Sequence, residues 1–171
     1  VRLWRRDAAA LGTIKSNGAI RLIDSAGMRS VPLHLVTTDI GEAVAGAQMV
    51  LSPLPATAQE VVACIIAPYL CDGQVVAIPP GTLGAVAMNR VIRRAGNQAD
   101  LAFVESGTLP YLARLRENDL VAISARVTRL PSGVYPARLS EHGLAVLGSV
   151  FPAIEPLVDV LDAVLMNAGP I

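Results

Sequence analysis

The chain has no surplus of charge of either sign. Its 14 lysines and arginines are balanced by 14 aspartates and glutamates over 171 residues, which leaves no basic excess to neutralise a phosphate backbone or an anionic lipid surface. Nucleic acid and membrane are therefore not expected partners. Cysteine is scarce as well. Cys64 and Cys71 are the only two and do not form a C-x-x-C pair, which argues against a disulfide scaffold or zinc site and for a reducing compartment, the cytoplasm by default. Seven apart on one helical face, they read most simply as core residues. The uncharged runs 43–59 and 73–89 approach membrane-span length but are cut by Pro53 and Pro55 and by Pro79-Pro80-Gly81, so no spanning helix is expected. The start shows no basic segment followed by an apolar one, hence no secretion signal. None of the 14 glycines has G-x-G spacing, which by itself counts against a dinucleotide site. His34 and His142 are the only histidines. Neither has a second ligand at metal spacing, so no metal is expected and both read as structural or solvated.

What is present is apolar and ordered in pattern. At 53% hydrophobic and 16% charged, the composition belongs to a globular chain. The first residue is Val1 rather than methionine, and Val1-Arg2-Leu3-Trp4 already alternates like the middle of a strand. The chain therefore reads as a fragment that begins inside a domain. A strand over 1–5 leads to a short Ala-rich helix that Gly12 is expected to end. Runs over 19–23 and 28–37 flank Asp24-Ser25-Ala26-Gly27, a hairpin turn by composition. Asp39 with Glu42, and Thr57 with Glu60, have capping-box spacing. They predict a short helix to about Gly46 and a longer one over 58–70, the latter with an apolar stripe of Val61, Val62, Ile65, Ile66 and Tyr69. Between these helices lies the apolar strand 49–52.

Asp72-Gly73 turns the chain into Val75 to Ile78, an unbroken apolar strand stopped by Pro79-Pro80-Gly81. A helix over 83–95 follows, closed by Gly96. Further on, 101–104 and 120–128 read as strands, Pro131-Ser132-Gly133 as a turn, and 140–150 and 156–166 as helices. Apolar strands that alternate with helices indicate a mostly parallel sheet covered on both faces. The fold class is α/β. In such sheets ligands sit outside the carboxyl ends of the strands, which directs attention to Arg5-Arg6-Asp7, Ser52 to Pro55, Pro79 to Gly84 and Glu105 to Tyr111.

Each stretch has two readings. Arg5 and Arg6, at a strand end, either accommodate a ribose 2′-phosphate, which points to NADP, or are ordinary solvated charges. Pro80 and Gly81 either let backbone approach a ligand, with the helix start offering free N–H groups, or form a plain strand-stop turn. Glu105 either bonds a ribose or nicotinamide, or caps the next element. Arg114 either pairs with a substrate carboxylate or is a surface residue.

Taken together, the stretches resemble a known family. Val1-Arg2-Leu3-Trp4-Arg5-Arg6-Asp7, Val36 to Ala43, Leu54-Pro55-Ala56, Asp72-Gly73-Gln74-Val75-Val76, Pro80-Gly81-Thr82-Leu83-Gly84 and Glu105-Ser106-Gly107-Thr108-Leu109-Pro110-Tyr111 look like the NAD(P)-dependent opine dehydrogenases. These belong to the glycerol-3-phosphate and 6-phosphogluconate dehydrogenase-like Rossmann enzymes. The resemblance implies a Rossmann-like domain over 1–150 that lacks its first strand and glycine-rich turn, with 151–171 starting the connection to a helical catalytic domain. It implies an NAD(P) cofactor, which Arg5 and Arg6 narrow to NADP with NAD also possible, and an amino acid and a 2-oxo acid as substrates, joined by reductive condensation. A homodimer is possible. Cofactor-side positions are Arg5, Arg6, Pro53, Pro55, Pro80, Gly81 and Glu105; Thr108, Arg114 and Asn167 are weaker substrate-side candidates. The family's catalytic His and Asp would lie beyond Ile171. Within the superfamily, a glycerol-3-phosphate or ketopantoate reductase-like enzyme is the nearest alternative. A non-catalytic nucleotide-binding α/β module is the alternative of another class.

Overall fold

The structure is a computed structural model that describes residues 1–166. In chain order the elements are β1 (Arg2–Trp4), α1 (Gly12–Asn17), β2 (Ala19–Asp24), β3 (Gly27–Pro32), β4 (Leu35–Thr37), α2 (Ile40–Val44), β5 (Met49–Leu51), α3 (Ala56–Ile66), β6 (Val75–Ile78), α4 (Gly84–Arg94), β7 (Ala102–Ser106), β8 (Tyr111–Glu117), β9 (Leu120–Arg126), β10 (Leu130–Tyr135), α5 (Ser140–Gly148), β11 (Ile154–Pro156) and α6 (Val160–Leu165). Short 3₁₀ turns occupy Ala9–Leu11, Ala67–Tyr69 and Ala137–Leu139. The chain divides into two compact units. One comprises Val1–Ala45 with Tyr111–Arg126, the other Gly46–Pro110 with Val127–Ile171.

In the first unit, β1 and β4 form a parallel pair, and β3-β2-β9-β8 form a four-stranded sheet. The expected hairpin is present: β2 and β3 pair antiparallel with Asp24 opposite Gly27, and the Asp24 carboxylate accepts the Ala26 N–H at 2.9 Å. Gly27 at φ +97° supplies the left-handed residue that closes it. The run 28–37 is two strands rather than one. The antiparallel ladder ends at Pro32, and His34 donates its N–H to the Val1 carbonyl as the chain crosses to pair with β1. Gly12, at φ +41°, ends the Ala-rich 3₁₀ turn Ala9–Leu11 as expected and at the same time opens α1. Asp39 caps α2 through the Gly41 and Glu42 N–H groups, while Glu42 accepts from the Thr37 hydroxyl at 2.8 Å.

The second unit is built on a sheet of order β11-β10-β7-β6-β5. Strands β5, β6 and β7 run parallel, β10 is antiparallel to β7, and β11 is parallel to β10. Val75, Val76, Ala77 and Ile78 are all buried, as are Ala102 to Val104. Both faces are covered, because successive strand residues point to opposite sides. The rung Leu51, Ala77, Val104, Val134 lies against α5, where Gly143 packs on Val134 and Val104. The next rung, Ile78, Glu105, Gly133, faces the α4 and α6 side. A Cβ on Gly133 would overlap the Asp159 backbone at the start of α6, so glycine there permits the close approach.

Several expectations are corrected. Helix α3 begins at Ala56 with Pro55 before it and no side-chain cap; Thr57 lies inside the helix, because Pro55, with no N–H and a fixed φ, already starts it. The buried residues of α3 are Gln59, Ala63 and Ile66, whereas Val61 and Tyr69 of the expected stripe are 52% and 44% exposed. Cys64 and Cys71 are exposed free thiols rather than core residues. Pro131-Ser132-Gly133 lies within β10, not in a turn. Residues 154–156 form a strand ahead of α6.

Candidate functional site

The carboxyl ends of β5, β6 and β7 lie side by side in the second unit and carry three of the stretches singled out from sequence. After β5 come Ser52 to Pro55. Ser52 extends the ladder by donating its N–H to the Ala77 carbonyl at 2.8 Å, and its hydroxyl is the buried side-chain polar atom that finds no hydrogen-bond partner among the described residues. Pro53 and Pro55 are exposed. The first turn of α3 carries neither a side-chain cap nor an acidic residue, and within it the Ala58 N–H donates to the Pro55 carbonyl at 2.9 Å.

The stretch after β6 is held tightly. The Gly81 N–H donates to the Ser106 carbonyl at 2.6 Å. Glu105 is fully buried and accepts the Leu83 N–H at 3.0 Å on one carboxylate oxygen and the Ala85 N–H at 2.5 Å on the other. The Thr82 N–H adds to this set. Burial pushes the Glu105 carboxyl above the usual carboxylate range, and the backbone donors pull against that shift. Gly81 is required here because a Cβ would stand 2.5 Å from a Glu105 oxygen. Leu83 takes the left-handed conformation, φ +63°, an unfavourable one for a branched side chain. The carboxylate of β7 thus caps α4. The N–H groups that the sequence offered to a ligand at this helix start, those of Leu83 and Ala85, are already used by Glu105, and β7 runs through Glu105 to Ser106 instead of stopping at Val104.

A second buried polar side chain works on the same loop. Gln59 of α3 is 3% exposed; its Nε2 lies 3.4 Å from the Leu54 carbonyl and 3.3 Å from the Thr82 hydroxyl. Sequence reasoning missed Gln59, because a glutamine on an amphipathic helix reads as solvent-facing. Thr108 is half-buried, and its carbonyl accepts the Ser106 hydroxyl at 2.7 Å. With Gly107, Arg129, Pro131, Glu155 and Met166 it lines a shallow pocket, within which Arg129 donates from Nε and from one terminal guanidinium nitrogen to the two carboxylate oxygens of Glu155.

Three other candidates belong elsewhere. Arg5 and Arg6 follow β1 in the first unit and are exposed; Arg5 donates to the Ala10 carbonyl at 3.0 Å. Arg114 is exposed on β8, also in the first unit, and bonds the carbonyl of neighbouring Ala113. Asn167 lies outside the described residues. His34 is exposed, and a ring nitrogen of His142 sits 2.8 Å from the Gly73 carbonyl, before β6 and thus at the opposite end of that strand from Pro79. Among the described residues no group of three or more His, Cys, Asp and Glu side chains could hold a metal, and no helix is long and apolar enough to cross a membrane.

No protein-family model matches the chain. It is 27% identical to an opine dehydrogenase of Arthrobacter sp. (strain 1C) over 172 residues, an alignment that takes in all of this chain and 48% of that protein. The chain is similar to an opine dehydrogenase along its entire length. It spans about half the length of that curated relative. Among solved structures, octopine dehydrogenase with NADH and L-arginine superposes with a TM-score of 0.74 at 19% identity, covering 98% of this chain and 44% of that one. Yersinopine dehydrogenase with NADP⁺ gives 0.75 at 15% identity, covering 95% and 42%. A 2-dehydropantoate 2-reductase from Geobacter metallireducens GS-15 gives 0.68 at 16% identity, covering 95% and 52%. The fold is mixed α/β with parallel strands, as its sequence pattern implied, and Rossmann-like, as the resemblance implied.

Proposed function

We propose that this chain is the dinucleotide-binding half of an NADP-preferring opine-type dehydrogenase. The observation that carries the reading is the similarity to an opine dehydrogenase over every residue of the chain and about half of the relative. In the proposed reaction the amine of an amino acid condenses with the carbonyl of a 2-oxo acid, losing water to give an imine. A hydride and a proton then reduce that imine to a secondary amine. The bound nicotinamide cofactor supplies the hydride.

The residues present fit a dinucleotide in part. Two exposed guanidiniums follow β1, suited to charge-assisted bonds to a 2′-phosphate. The uncapped start of α3 and the exposed Pro53 and Pro55 border the strand ends, where ligands of open parallel sheets bind. The Pro80-Gly81 loop and Glu105 contribute by shape, since Glu105 holds the loop from beneath and keeps its backbone donors occupied. Thr108, Arg114 and Asn167 are proposed on the substrate side. As the resemblance to opine dehydrogenases implies, the proton donor is proposed to be a histidine carried by a helical part of the protein; within this chain His142 bonds at the amino end of β6, away from the strand-end loops.

The test is binding and turnover of NADPH and NADH by the protein with its natural flanking sequence, supplied with pyruvate and a panel of amino acids. Oxidation that requires both substrates supports the reading. Oxidation with ketopantoate alone would favour the reductase alternative, whose fold the chain also shares. Binding without turnover under any condition would favour a nucleotide-binding module. Replacing Arg5 and Arg6 with alanine should weaken NADPH about 10-fold or more while leaving NADH nearly unchanged, since each charged hydrogen bond contributes about 1.5–3 kcal/mol. Equal losses would remove the 2′-phosphate assignment.

A further inference from the structure

The loops after β5 and β6 are joined by one side chain. Gln59 donates toward the Leu54 carbonyl at 3.4 Å in the first loop and toward the Thr82 hydroxyl at 3.3 Å in the second, and its Oε1 lies 3.5 Å from the same hydroxyl. The amide is enclosed: Gln59 is 3% exposed, and Gly84 packs so closely on it that a Cβ there would overlap the amide. From the other side, Glu105 and the Ser106 carbonyl hold the second loop through Leu83, Ala85 and Gly81. The loop over 79–84 is thereby gripped between β7 and α3.

We infer that Gln59 is a positioning residue of the dinucleotide site, fixing the separation of the Leu54 and Thr82 loops without touching the ligand. The inference rests on the functional reading above. As a stabilising device this amide is poor, because bonds of 3.3–3.5 Å are at the long end of the useful range and burying an amide carries a desolvation cost. As a spacer it is well suited, since donor and acceptor on one planar group satisfy both loops at a single separation. Hydrogen bonds around ligand sites are often long in the free protein and tighten when the ligand seats. The contribution of Gln59 therefore belongs to ligand affinity rather than to the stability of the free protein.

Three variants test this: Gln59→Met, which keeps the volume and removes the amide, Thr82→Val, which removes the hydroxyl at an exposed position, and the double variant. Dissociation constants for NADPH and melting temperatures are measured on each. The expected result is a 5- to 10-fold rise in Kd for Gln59→Met, the size of one or two neutral hydrogen bonds, with a melting temperature unchanged or raised. Thr82→Val should raise Kd about 3- to 5-fold, and the double variant should lose no more than Gln59→Met alone, because both act through one contact. Unchanged Kd with a lowered melting temperature would assign Gln59 to stability and overturn the inference, as would additive losses. If Gln59→Met fails to fold, Thr82→Val decides by the same criterion. Failure of the unsubstituted protein to bind either NADPH or NADH would remove the functional reading and this inference together. Tight binding that no variant disturbs would remove this inference alone.

Discussion

The two units of this chain are stabilised by different means. In the unit built on β5, β6, β7, β10 and β11, the strands β6 and β7 are buried on both faces and the core includes Phe103, Ile66, Ile78, Met88, Ile92 and Leu130. In the unit that holds β1 to β4, β8 and β9, the buried apolar side chains among the described residues are Leu11, Ile14, Val44 and Leu120. Its four-stranded sheet leaves Leu112 and Leu115 of β8 at 49% and 60% exposed. Register there is marked by charge instead. Arg21 on β2 reaches Asp119 and Glu117 beside β9 and β8, and Asp24 receives both Arg29 of β3 and Arg126 of β9, the latter also over the Tyr111 ring. Apolar burial contributes roughly 25 cal/mol per Å², whereas ion pairs whose guanidinium stays exposed, as Arg21, Arg29 and Arg126 do here, contribute about 0–1 kcal/mol each. The first unit is therefore the weaker and more condition-dependent of the two.

The sharpest way to break this contrast is truncation in each sheet. Phe103→Ala should cost about 3–5 kcal/mol of unfolding free energy, whereas Leu115→Ala should cost under about 0.5 kcal/mol. Denaturant titration of both variants checks it, and comparable losses would refute the division of stability. Next in size is Gly133→Ala. The added methyl meets the Asp159 backbone, and overpacking of this kind costs about 1–3 kcal/mol, visible as a lowered melting temperature and faster amide exchange in α6.

The units should also answer pH in opposite directions. Arg29 and the Ala26 N–H hold the Asp24 carboxyl well below the usual range, and Arg21 lowers Asp119. A carboxyl depressed in the folded state contributes stability that is present above its unfolded pKa and lost as pH falls through the folded value. Glu105 is raised by burial, so its contribution is present below the unfolded pKa and lost as pH rises through the folded one. Amide exchange followed against pH should therefore show β2 and β9 loosening on acidification, and the start of α4 loosening instead as pH climbs out of the carboxylate range. A common direction in both places would contradict the assignment. The smallest effect concerns Ser52. Its hydroxyl is buried and finds no partner among the described residues, so Ser52→Ala should be neutral or stabilising by up to about 1 kcal/mol. A clear loss of stability would show that the hydroxyl is hydrogen-bonded, and a loss of NADPH affinity alone would place it against the ligand.

Much of the second unit was legible because its signals are local. Val75 to Ile78 is apolar at every position and is bounded by Asp72-Gly73 and by Pro79-Pro80, a pattern that fits only a strand buried on both faces. The Asp39 cap and the turn at Asp24 to Gly27 were equally readable, since each is satisfied within a few residues. Strand β8 was not, because it is an edge strand with register shifts at Leu112/Ala113 and Leu115/Glu117, and its charged residues hide the alternation.

What the sequence by itself determined is the α/β class, the place of the loops after β1, β5 and β6 and the resemblance to opine dehydrogenases. These depend on periodicity, turn chemistry and the order of short motifs along the chain. Only the tertiary structure decided that Gly133 sits in a strand against the start of α6, that Glu105 spends its carboxylate on α4, and that Gln59 binds two loops together. Residue 105 is 20 residues from Ala85 and Gln59 is 23 from Thr82. A buried polar side chain is satisfied by whichever groups the packed elements bring within hydrogen-bonding distance, and that proximity appears only once the strands are in register.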